Sequence, residues 1–417
     1  MIRNYFKIAI KVLLRHKLFT FISLFGISFT LLVLVVLSSF IDHAISPNPP
    51  EKKQRRILST TYYKMRTKSG GTIAGPMVSY YFLDKYVRSM EIPEAISISS
   101  FHSNVIVYHQ KQKFTFACKY CDGNFWDIMD FNFIEGKPFT QTDVANMRPV
   151  AIISRDTRNL YFQGRETVGE SMDLNGKTFR IAGVVENVSL LRILPYADVW
   201  LPITQMKADL NKQSISTDTF PGFFALLLAR QRSDFPQIKA EYRQHLGEVE
   251  FLDDRVVEIH GGVETYFETL SRLFVGGFEQ SNRSGLVIAV FILMLLFMLL
   301  PAINLVNINI SRIYERSAEI GIRKAFGASS ATLINQFITE NVIITAIGGF
   351  LSLILALIVL RILNQSDIIP HLQLRINWRI FAVSLFITLV FGVFSGVIPA
   401  YRMARMQAAE TLRGGEK

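Results

Sequence analysis

Four long apolar stretches alternate with polar segments along the chain. The apolar stretches are residues 18–41, 285–310, 341–363 and 379–399. Each is long enough, as a helix, to cross a hydrocarbon layer of about 30 Å. The first exceeds the ~7 to 15 apolar residues of a signal peptide and no small-x-small cleavage site follows it, so we expect it to remain as an anchor. This pattern predicts an α-helical membrane protein with four transmembrane helices.

The segment between the first two stretches, residues 42–283, has mixed charge and many turn signals. Strand-like runs flank residues 110–113 and the Asn175-Gly176 turn, which predicts two β-hairpins. The polar stretch 210–219 indicates an internal boundary, although one sizeable domain also fits the length. Helical periodicity is found at residues 78–90, 155–162, 235–246 and 264–274. We therefore expect a large α+β extracytoplasmic domain inserted between helices 1 and 2.

The charge distribution orients the four helices. The formal net charge of the chain is +11, and residues 1–17, 311–340 and 400–417 together hold 13 basic and 5 acidic residues, or +8 of it. Basic residues flanking membrane helices concentrate in the cytoplasm, so we expect both termini and the segment 311–340 there, with residues 364–378 as a short loop on the far side. Residues 1–17 fit either an amphipathic helix on membrane lipids or a plain basic flank. No basic patch is interleaved with aromatic residues, which argues against a nucleic-acid partner.

The cytoplasmic segment 311–340 has the pattern of a charged helical elbow. Gly327 suits a helix C-cap, and Ser329 suits the N-cap of the following helix. Opposite charges three or four positions apart stabilise an exposed helix. The pairs are Arg312 with Glu315, Arg316 with Glu319, and Glu319 with Arg323. Such an elbow could transmit a push from the cytoplasm, and a plain connector is the alternative.

Small residues mark two of the apolar stretches as packing surfaces. Gly392 and Gly396 form a G-x-x-x-G, and Gly348 and Gly349 lie together in the third stretch. Small residues allow the backbones of membrane helices to approach closely. The pattern fits packing within the chain and packing in a dimer equally well.

Motifs for catalysis and metal binding are absent from the sequence. We find no Walker motif, no zinc-protease motif, no nucleophile elbow and no His/Cys cluster with metal spacing, so we expect neither a catalytic residue nor a metal site. Cys118 and Cys121 form a Cys-x-x-Cys pair. The pair fits either a disulfide on an oxidising outer face or two buried thiols, because Phe114, Phe116 and Cys118 alternate like one face of a strand.

Seven stretches of this sequence carry a family resemblance. They are FKIAIKVLLRHKLFTFISLFGI, FNFIEGKPFT, PVAIIS, GESMDLNGKTFRIAGVVENV, ADVWLPIT, ERSAEIGIRKAFGAS and IPAYRMARMQAAETLR. Together they resemble the MacB/FtsX-like permeases of ABC transporters, the type VII or mechanotransmission class, over nearly the whole chain. Ala408 departs from the pattern, since a proline is common at that position.

The resemblance implies a permease of the inner membrane, with a MacB-like periplasmic domain and no enzyme activity or cofactor of its own. ATP would be bound by a separate ABC ATPase subunit. The implied coupling residues are Glu315, Arg316, Glu319, Ile320, Gly321, Arg323, Lys324 and Gly327. The chain would form a dimer with itself or a homologous permease, and a periplasmic adaptor and an outer-membrane channel are further implied partners.

Two functions are compatible with this resemblance. The first is export of a peptide, drug or lipoprotein cargo, driven by conformational work in the periplasm. The alternative is an FtsX-like regulator that transports nothing and controls a cell-wall hydrolase or a signalling partner.

Overall fold

The computed structural model divides the chain into two compact units, which are described separately. The helical unit comprises residues 1–43, 288–366 and 373–417, and the outer unit comprises 44–287 and 367–372. The residues that the structure describes are 15, 17–75, 78–109, 111–207, 209–216, 222–251, 256–276, 282–315, 322, 326, 329–366 and 368–405.

The helices and strands have the following bounds. The α-helices are α1 Lys17–Ile45, α2 Tyr80–Phe82, α3 Asn124–Ile128, α4 Gln141–Ala145, α5 Arg155–Phe162, α6 Phe235–Gly247, α7 Tyr266–Ser271, α8 Arg283–Glu315, α9 Ser330–Gln365 and α10 Trp378–Arg405. The π-helical turns Leu83–Val87 and Arg272–Gly276 continue α2 and α7. The strands are β1 Ile57–Ser59, β2 Tyr63–Thr67, β3 Thr72–Gly75, β4 Ala95–Ser100, β5 Ser103–His109, β6 Gln112–Cys121, β7 Phe133–Gly136, β8 Val150–Ser154, β9 Ser171–Leu174, β10 Lys177–Val185, β11 Val199–Pro202, β12 Phe223–Leu228 and β13 Val256–Gly261.

The helical unit contains one long helix at each predicted apolar stretch. Within the described residues, Lys17–Ile45 and Ile334–Gln365 are apolar enough over their length to cross a bilayer. The apolar parts Arg283–Phe297 of α8 and Trp378–Phe394 of α10 are shorter. The structure therefore provides two clear candidate spans, and the count of four stays a prediction.

The outer unit is built on a ten-stranded mixed sheet. Its main path runs β1-β12-β4-β6-β11-β8-β10-β7, with β5 added to β6 and β9 added to β10, and β13-β2-β3 form a separate small sheet. Both predicted hairpins are confirmed, as β5 with β6 and as β9 with β10. Asn175 and Gly176 have φ angles of 51° and 78°, which is the left-handed geometry of a two-residue hairpin turn.

The predicted internal boundary near residues 210–219 does not divide the outer unit into two compact units, which agrees with the single domain that the sequence also allowed. Strand β12 follows the boundary in sequence, yet it pairs with both β1 and β4, which precede it. A strand buried between two neighbours cannot leave the sheet without breaking both ladders. Residues 44–287 therefore fold as one unit.

Candidate functional site at the membrane connections

Most of the predicted coupling residues lie outside the described part of the structure. These are Arg316, Glu319, Ile320, Gly321, Arg323, Lys324 and Gly327. Glu315 is the last described residue of α8, and Ser329 is the N-cap of α9, where its Oγ accepts a hydrogen bond of 3.2 Å from Thr332 N. The coupling role of the elbow accordingly stays a prediction.

Three of the four predicted packing glycines lie at contacts between helices of this chain. A Cβ atom on Gly348 would lie 2.7 Å from Ile27 Cγ2 of α1, and one on Gly349 would lie 2.6 Å from Leu385 Cδ1 of α10. One on Gly392 would lie 3.0 Å from Thr345 Oγ1. Gly396 lies further along α10. These contacts account for the small residues within one chain, while a dimer contact at the same positions stays a prediction.

The structure has no disulfide between Cys118 and Cys121, so of the two alternatives that the sequence left open it shows the buried thiols. Both residues are free, buried thiols on β6. Side chains alternate between the faces of a strand, so residues three apart point in opposite directions. Cys118 packs in the core on one face of the sheet, whereas Cys121 packs in the core on the other. Two such sulfur atoms cannot reach the ~2 Å bonding distance of a disulfide.

The candidate functional site of the outer unit is the junction loop, residues 186–198, which joins β10 to β11. Most of this loop is buried despite its irregular backbone, which is unusual because buried loops must satisfy their polar backbone groups internally. Its buried residues are Val188, Ser189, Arg192, Leu194, Pro195, Tyr196 and Ala197. The loop receives contacts from all three chain segments that connect the outer unit to the long helices.

The first connection is the segment that follows α1, and Arg192 of the junction loop binds it. Arg192 is 3% exposed and donates from Nη1 to Glu51 Oε2 over 2.6 Å. It also donates to the backbone carbonyl oxygens of Ser46, over 2.9 Å, and Asn48, over 3.5 Å. A guanidinium group can satisfy several acceptors at once because its donors form a rigid planar fork. One side chain therefore binds three residues of the 46–51 segment, and Asp130 N adds a hydrogen bond to Pro50 O over 2.7 Å.

The second connection is α7, which precedes α8 in sequence. Tyr266 of α7 donates from its hydroxyl to the carbonyl oxygen of Leu191 in the junction loop, over 3.3 Å. Burial raises the pKa of Tyr266 to about 12, so its hydroxyl keeps the proton that it donates. At the end of this connection, Glu268 of α7 forms an ion pair with Arg283, the first residue of α8.

The third connection is the loop between α9 and α10. The backbone N–H of Leu190 donates to the carbonyl oxygen of Pro370, over 3.4 Å. His371 Nδ1 lies 3.6 Å from Asp156 Oδ2, and Asn187 of the junction loop donates to Asp156 Oδ1 over 2.9 Å. The short outer loop is thus tied to the junction loop both directly and through Asp156.

Lys119 of β6 fixes the junction loop to the sheet. Its Nζ donates to the carbonyl oxygens of Leu194 and, over 3.3 Å, Ile193, and lies 5.3 Å from the centre of the Phe224 ring. Burial lowers the pKa of Lys119 to about 7, although Cys121 and Glu51 act in the opposite direction. Trp200 of β11 adds a donor, from Nε1 to Pro195 O over 3.2 Å. The loop is therefore held by the central strands and by the three segments that connect the outer unit to the long helices.

Burial dominates the electrostatics of this site. It raises the pKa of Glu51, and the nearby Arg192 guanidinium only partly opposes that rise. The same effect raises the pKa of Asp198 at the end of the loop, where Asp198 Oδ2 accepts from Ala117 N over 2.8 Å. Buried polar groups of this kind are satisfied by fixed partners, which makes the arrangement stiff.

Sequence reasoning missed the junction loop, although two weak signals were present. Arg192 stands alone in the apolar run VSLLRILPY, and Lys119 occupies a position between the aromatic and cysteine residues of FTFACKYC. A cation within an apolar run is rarely buried unless paired. Such cations indicate a buried polar site but cannot name their partners, which come here from residues far away in sequence.

Family models match the chain in two regions. The model of the MacB-like periplasmic core domain matches residues 20–245, and the model of the FtsX-like permease C-terminal domain matches residues 291–408. The first region is more than half of the chain and contains the junction loop.

Named relatives have low sequence identity over long stretches. The chain is 22% identical to the uncharacterized ABC transporter permease YvrN of Bacillus subtilis, over 98% of this chain and 99% of that protein. It is 23% identical to the permease YknZ of the same organism, over 79% of this chain and 77% of that protein. The macrolide export ATP-binding/permease protein MacB of Escherichia coli K12 is 24% identical over 70% of this chain, but the match spans only 42% of MacB.

Two solved structures resemble parts of the chain. The periplasmic region of MacB from Actinobacillus actinomycetemcomitans has a TM-score of 0.34 at 12% identity, covering 49% of this chain and 88% of that one. The extracellular domain of the ABC-type transporter YknZ from Gram-positive bacteria has a TM-score of 0.36 at 11% identity, covering 48% of this chain and 100% of that one.

Proposed function

Because the chain belongs to the MacB/FtsX-like permeases of ABC transporters, we propose that it couples ATP hydrolysis by a separate cytoplasmic ATPase to conformational work of its outer domain. Membership of this family makes it an inner-membrane permease with a periplasmic-type domain and implies a partner ATPase. The observation that supports the coupling mechanism is the convergence of all three membrane connections on the junction loop. Movement of any long helix would then act on one place in the outer domain.

The cytoplasmic end of the proposed mechanism is the elbow. Glu315, Arg316, Glu319, Arg323 and Lys324 would lie in a cleft of the ATPase, so that closure on ATP displaces the elbow and the helices joined to it. A charged helix on stiff neighbours suits this role because packed helices shift between discrete positions rather than deform continuously. Both termini would be cytoplasmic, with four helices spanning the membrane.

The proposed cargo is a peptide, a drug or a lipoprotein that is moved on the outer side. Relatives named as permeases and as an export protein support transport over control of a hydrolase or signalling partner. A dimer with itself or a homologous permease would supply the second ATPase contact. A periplasmic adaptor and an outer-membrane channel complete the proposed assembly.

Co-purification with the ATPase tests this function. The full chain would be isolated from its native host and the bound ATPase measured, for wild type and for the double charge reversal Glu319→Arg with Arg323→Glu. We expect the reversal to lose most of the bound ATPase and its stimulated hydrolysis. The matched control is Arg66→Glu with Glu258→Arg, an exposed ion pair in the small sheet of the outer unit, which should keep both. Unchanged ATPase binding in the elbow variant would overturn the proposed role of the elbow.

A further inference from the structure

Arg192 is a buried charged residue of the outer unit whose side chain donates hydrogen bonds to three acceptors on a single chain segment. The acceptors are Ser46 O, Asn48 O and Glu51 Oε2, all within the six residues that follow α1. Both charged side chains of the pair are 3% exposed. The segment leaving α1 is therefore fastened where water does not compete for the hydrogen bonds.

Stability alone does not account for a buried ion pair at this place. Removing two charges from water is costly, and well-packed apolar residues of similar volume are often at least as stable. The arginine instead provides geometry, since its planar fork can satisfy the three acceptors in only one arrangement. An apolar contact would hold the segment but would let it slide. The pair therefore fixes the position of the 46–51 segment relative to the junction loop.

The junction loop connects the 46–51 segment to the central strands of the sheet. It runs directly into β11, which pairs with β6 on one side and β8 on the other. Lys119 of β6 holds Ile193 and Leu194, the two residues that follow Arg192. A displacement of the 46–51 segment would therefore be passed to the central strands through the hydrogen bonds of Arg192 and Lys119.

We propose that Arg192 is a positioning residue that locks the chain leaving α1 to the junction loop, so that movement of α1 is delivered to the centre of the outer sheet. The lock itself is a property of the outer unit. Its use during the ATPase cycle rests on the proposed function, and the experiment treats the two separately.

Hydrogen–deuterium exchange of the full chain in lipid nanodiscs tests the lock without any ATPase. We expect Arg192→Met to speed amide exchange by about tenfold or more in peptides covering residues 46–57, while peptides of β11 stay protected. Residues 47, 49 and 50 are prolines without an amide hydrogen, so the readout comes from Ser46, Asn48 and residues 51–57, where Glu51 N, Gln54 N and Arg56 N are hydrogen-bonded. Glu51→Gln should give a smaller effect in the same peptides, because Arg192 keeps its two carbonyl acceptors. Arg155→Met is the matched control, since it removes an exposed arginine that pairs with Glu186 of the same loop.

Two results of this experiment would overturn the lock. One is unchanged exchange at residues 46–57 in Arg192→Met. The other is equally faster exchange throughout the sheet, in both Arg192→Met and the milder Glu51→Gln, which would make Arg192 a general stability residue.

The second arm uses the complex with its co-purified ATPase, trapped with ATP and vanadate. We expect wild type to change exchange in the outer domain on trapping, and Arg192→Met to keep its stimulated ATPase activity but lose at least about three quarters of that change. An undiminished change in Arg192→Met would overturn its use in coupling. If wild type neither binds an ATPase nor responds to ATP, the proposed function fails, whereas the nanodisc experiment still decides the lock.

Discussion

Glu268 of α7 and Arg283, the first residue of α8, form an ion pair that joins the two helices. Lys239 of α6 donates to the same oxygen of Glu268, over 2.6 Å, and Glu268 Oε2 accepts from Thr265 N over 2.7 Å as part of a capping box. One carboxylate thus connects α6, α7 and the start of α8. The start of α8 is therefore bound to α7 directly, and to α6 through Glu268, by ion pairs.

This arrangement predicts acid sensitivity at Glu268. Burial would raise the pKa of Glu268, but Lys239, Thr265 N and Arg283 together lower it to about 2. A carboxyl with a lowered folded pKa stabilises the fold fully above its ordinary value of 4.5, and this stabilisation is lost as the pH falls towards 2. We expect Glu268→Gln to lose of the order of 2 kcal/mol at pH 7 and less than about half of that at pH 3.

The measurement is the free energy of unfolding of the full chain in detergent, followed by tryptophan fluorescence between pH 3 and pH 7. Glu258→Gln is the control, because Glu258 lies in exposed ion pairs. A pH-independent cost of Glu268→Gln would contradict the prediction.

Lys119 predicts a pH dependence in the alkaline range. Its pKa is about 7 in the folded protein, against an ordinary 10.5. Between these values the unfolded chain holds a proton that the folded chain has released, so Lys119 makes stability rise with pH across this window. We expect Lys119→Met to remove that rise, and therefore to be least harmful near pH 7 and progressively more harmful, relative to wild type, towards pH 10.

The check is the difference in unfolding free energy between wild type and Lys119→Met at pH 7, 8.5 and 10. Tyrosines and cysteines contribute equally to the unfolding free energy of both proteins, so their titration drops out of this difference. Lys113→Met, at an exposed position of β6, should show no such trend. A flat difference for Lys119→Met would show that the ammonium group is not desolvated in the folded protein.

Cys118 and Cys121 should remain reduced and unreactive in the folded protein. Burial raises the pKa of both thiols above the ordinary value, and the thiolate is the reactive form. We expect iodoacetamide to modify neither residue in the native chain and both in denaturant, with no mass change on adding a reductant. Intact-mass spectrometry of the non-reduced protein provides the measurement, and a native mass two hydrogens lower would reveal a disulfide.

Gly348 should tolerate no side chain where α9 crosses α1. A Cβ atom there would lie 2.7 Å from Ile27 Cγ2 and 3.0 Å from Ile27 Cβ, close to the branch point of a stiff side chain. We expect Gly348→Ala to cost about 1 to 3 kcal/mol, as overpacking does in dense cores. Ile27→Ala in the same chain should recover part of the loss.

Thermal unfolding of the full chain in detergent measures this effect. Gly247→Ala at the end of α6 is the matched control, because no atom lies within 4 Å of the added methyl group. An equal loss from both substitutions would indicate a general helix effect rather than a contact with Ile27.

Local sequence signals accounted for many elements of the outer unit. Helix α5 has the predicted bounds of Arg155 and Phe162, because Ser154 Oγ caps it by accepting from Thr157 N over 3.1 Å and Gln163 closes it in the left-handed conformation. Both hairpins follow from alternation and turn residues that are close together in sequence. The order of strands in the ten-stranded sheet could not be predicted in this way, since β12 joins β1 and β4 from far along the chain.

The sequence by itself determined the apolar stretches, their orientation signals, the α+β outer domain and the family, because hydropathy, charge and turn chemistry act between near neighbours. Only the tertiary structure decided that Cys118 and Cys121 face opposite cores and that Arg192, Lys119 and Tyr266 meet at one loop. The physical reason is that a buried charge is stable only beside specific partners. Those partners lie far away in sequence, as Glu51 does at 141 residues from Arg192, and no local pattern can identify them.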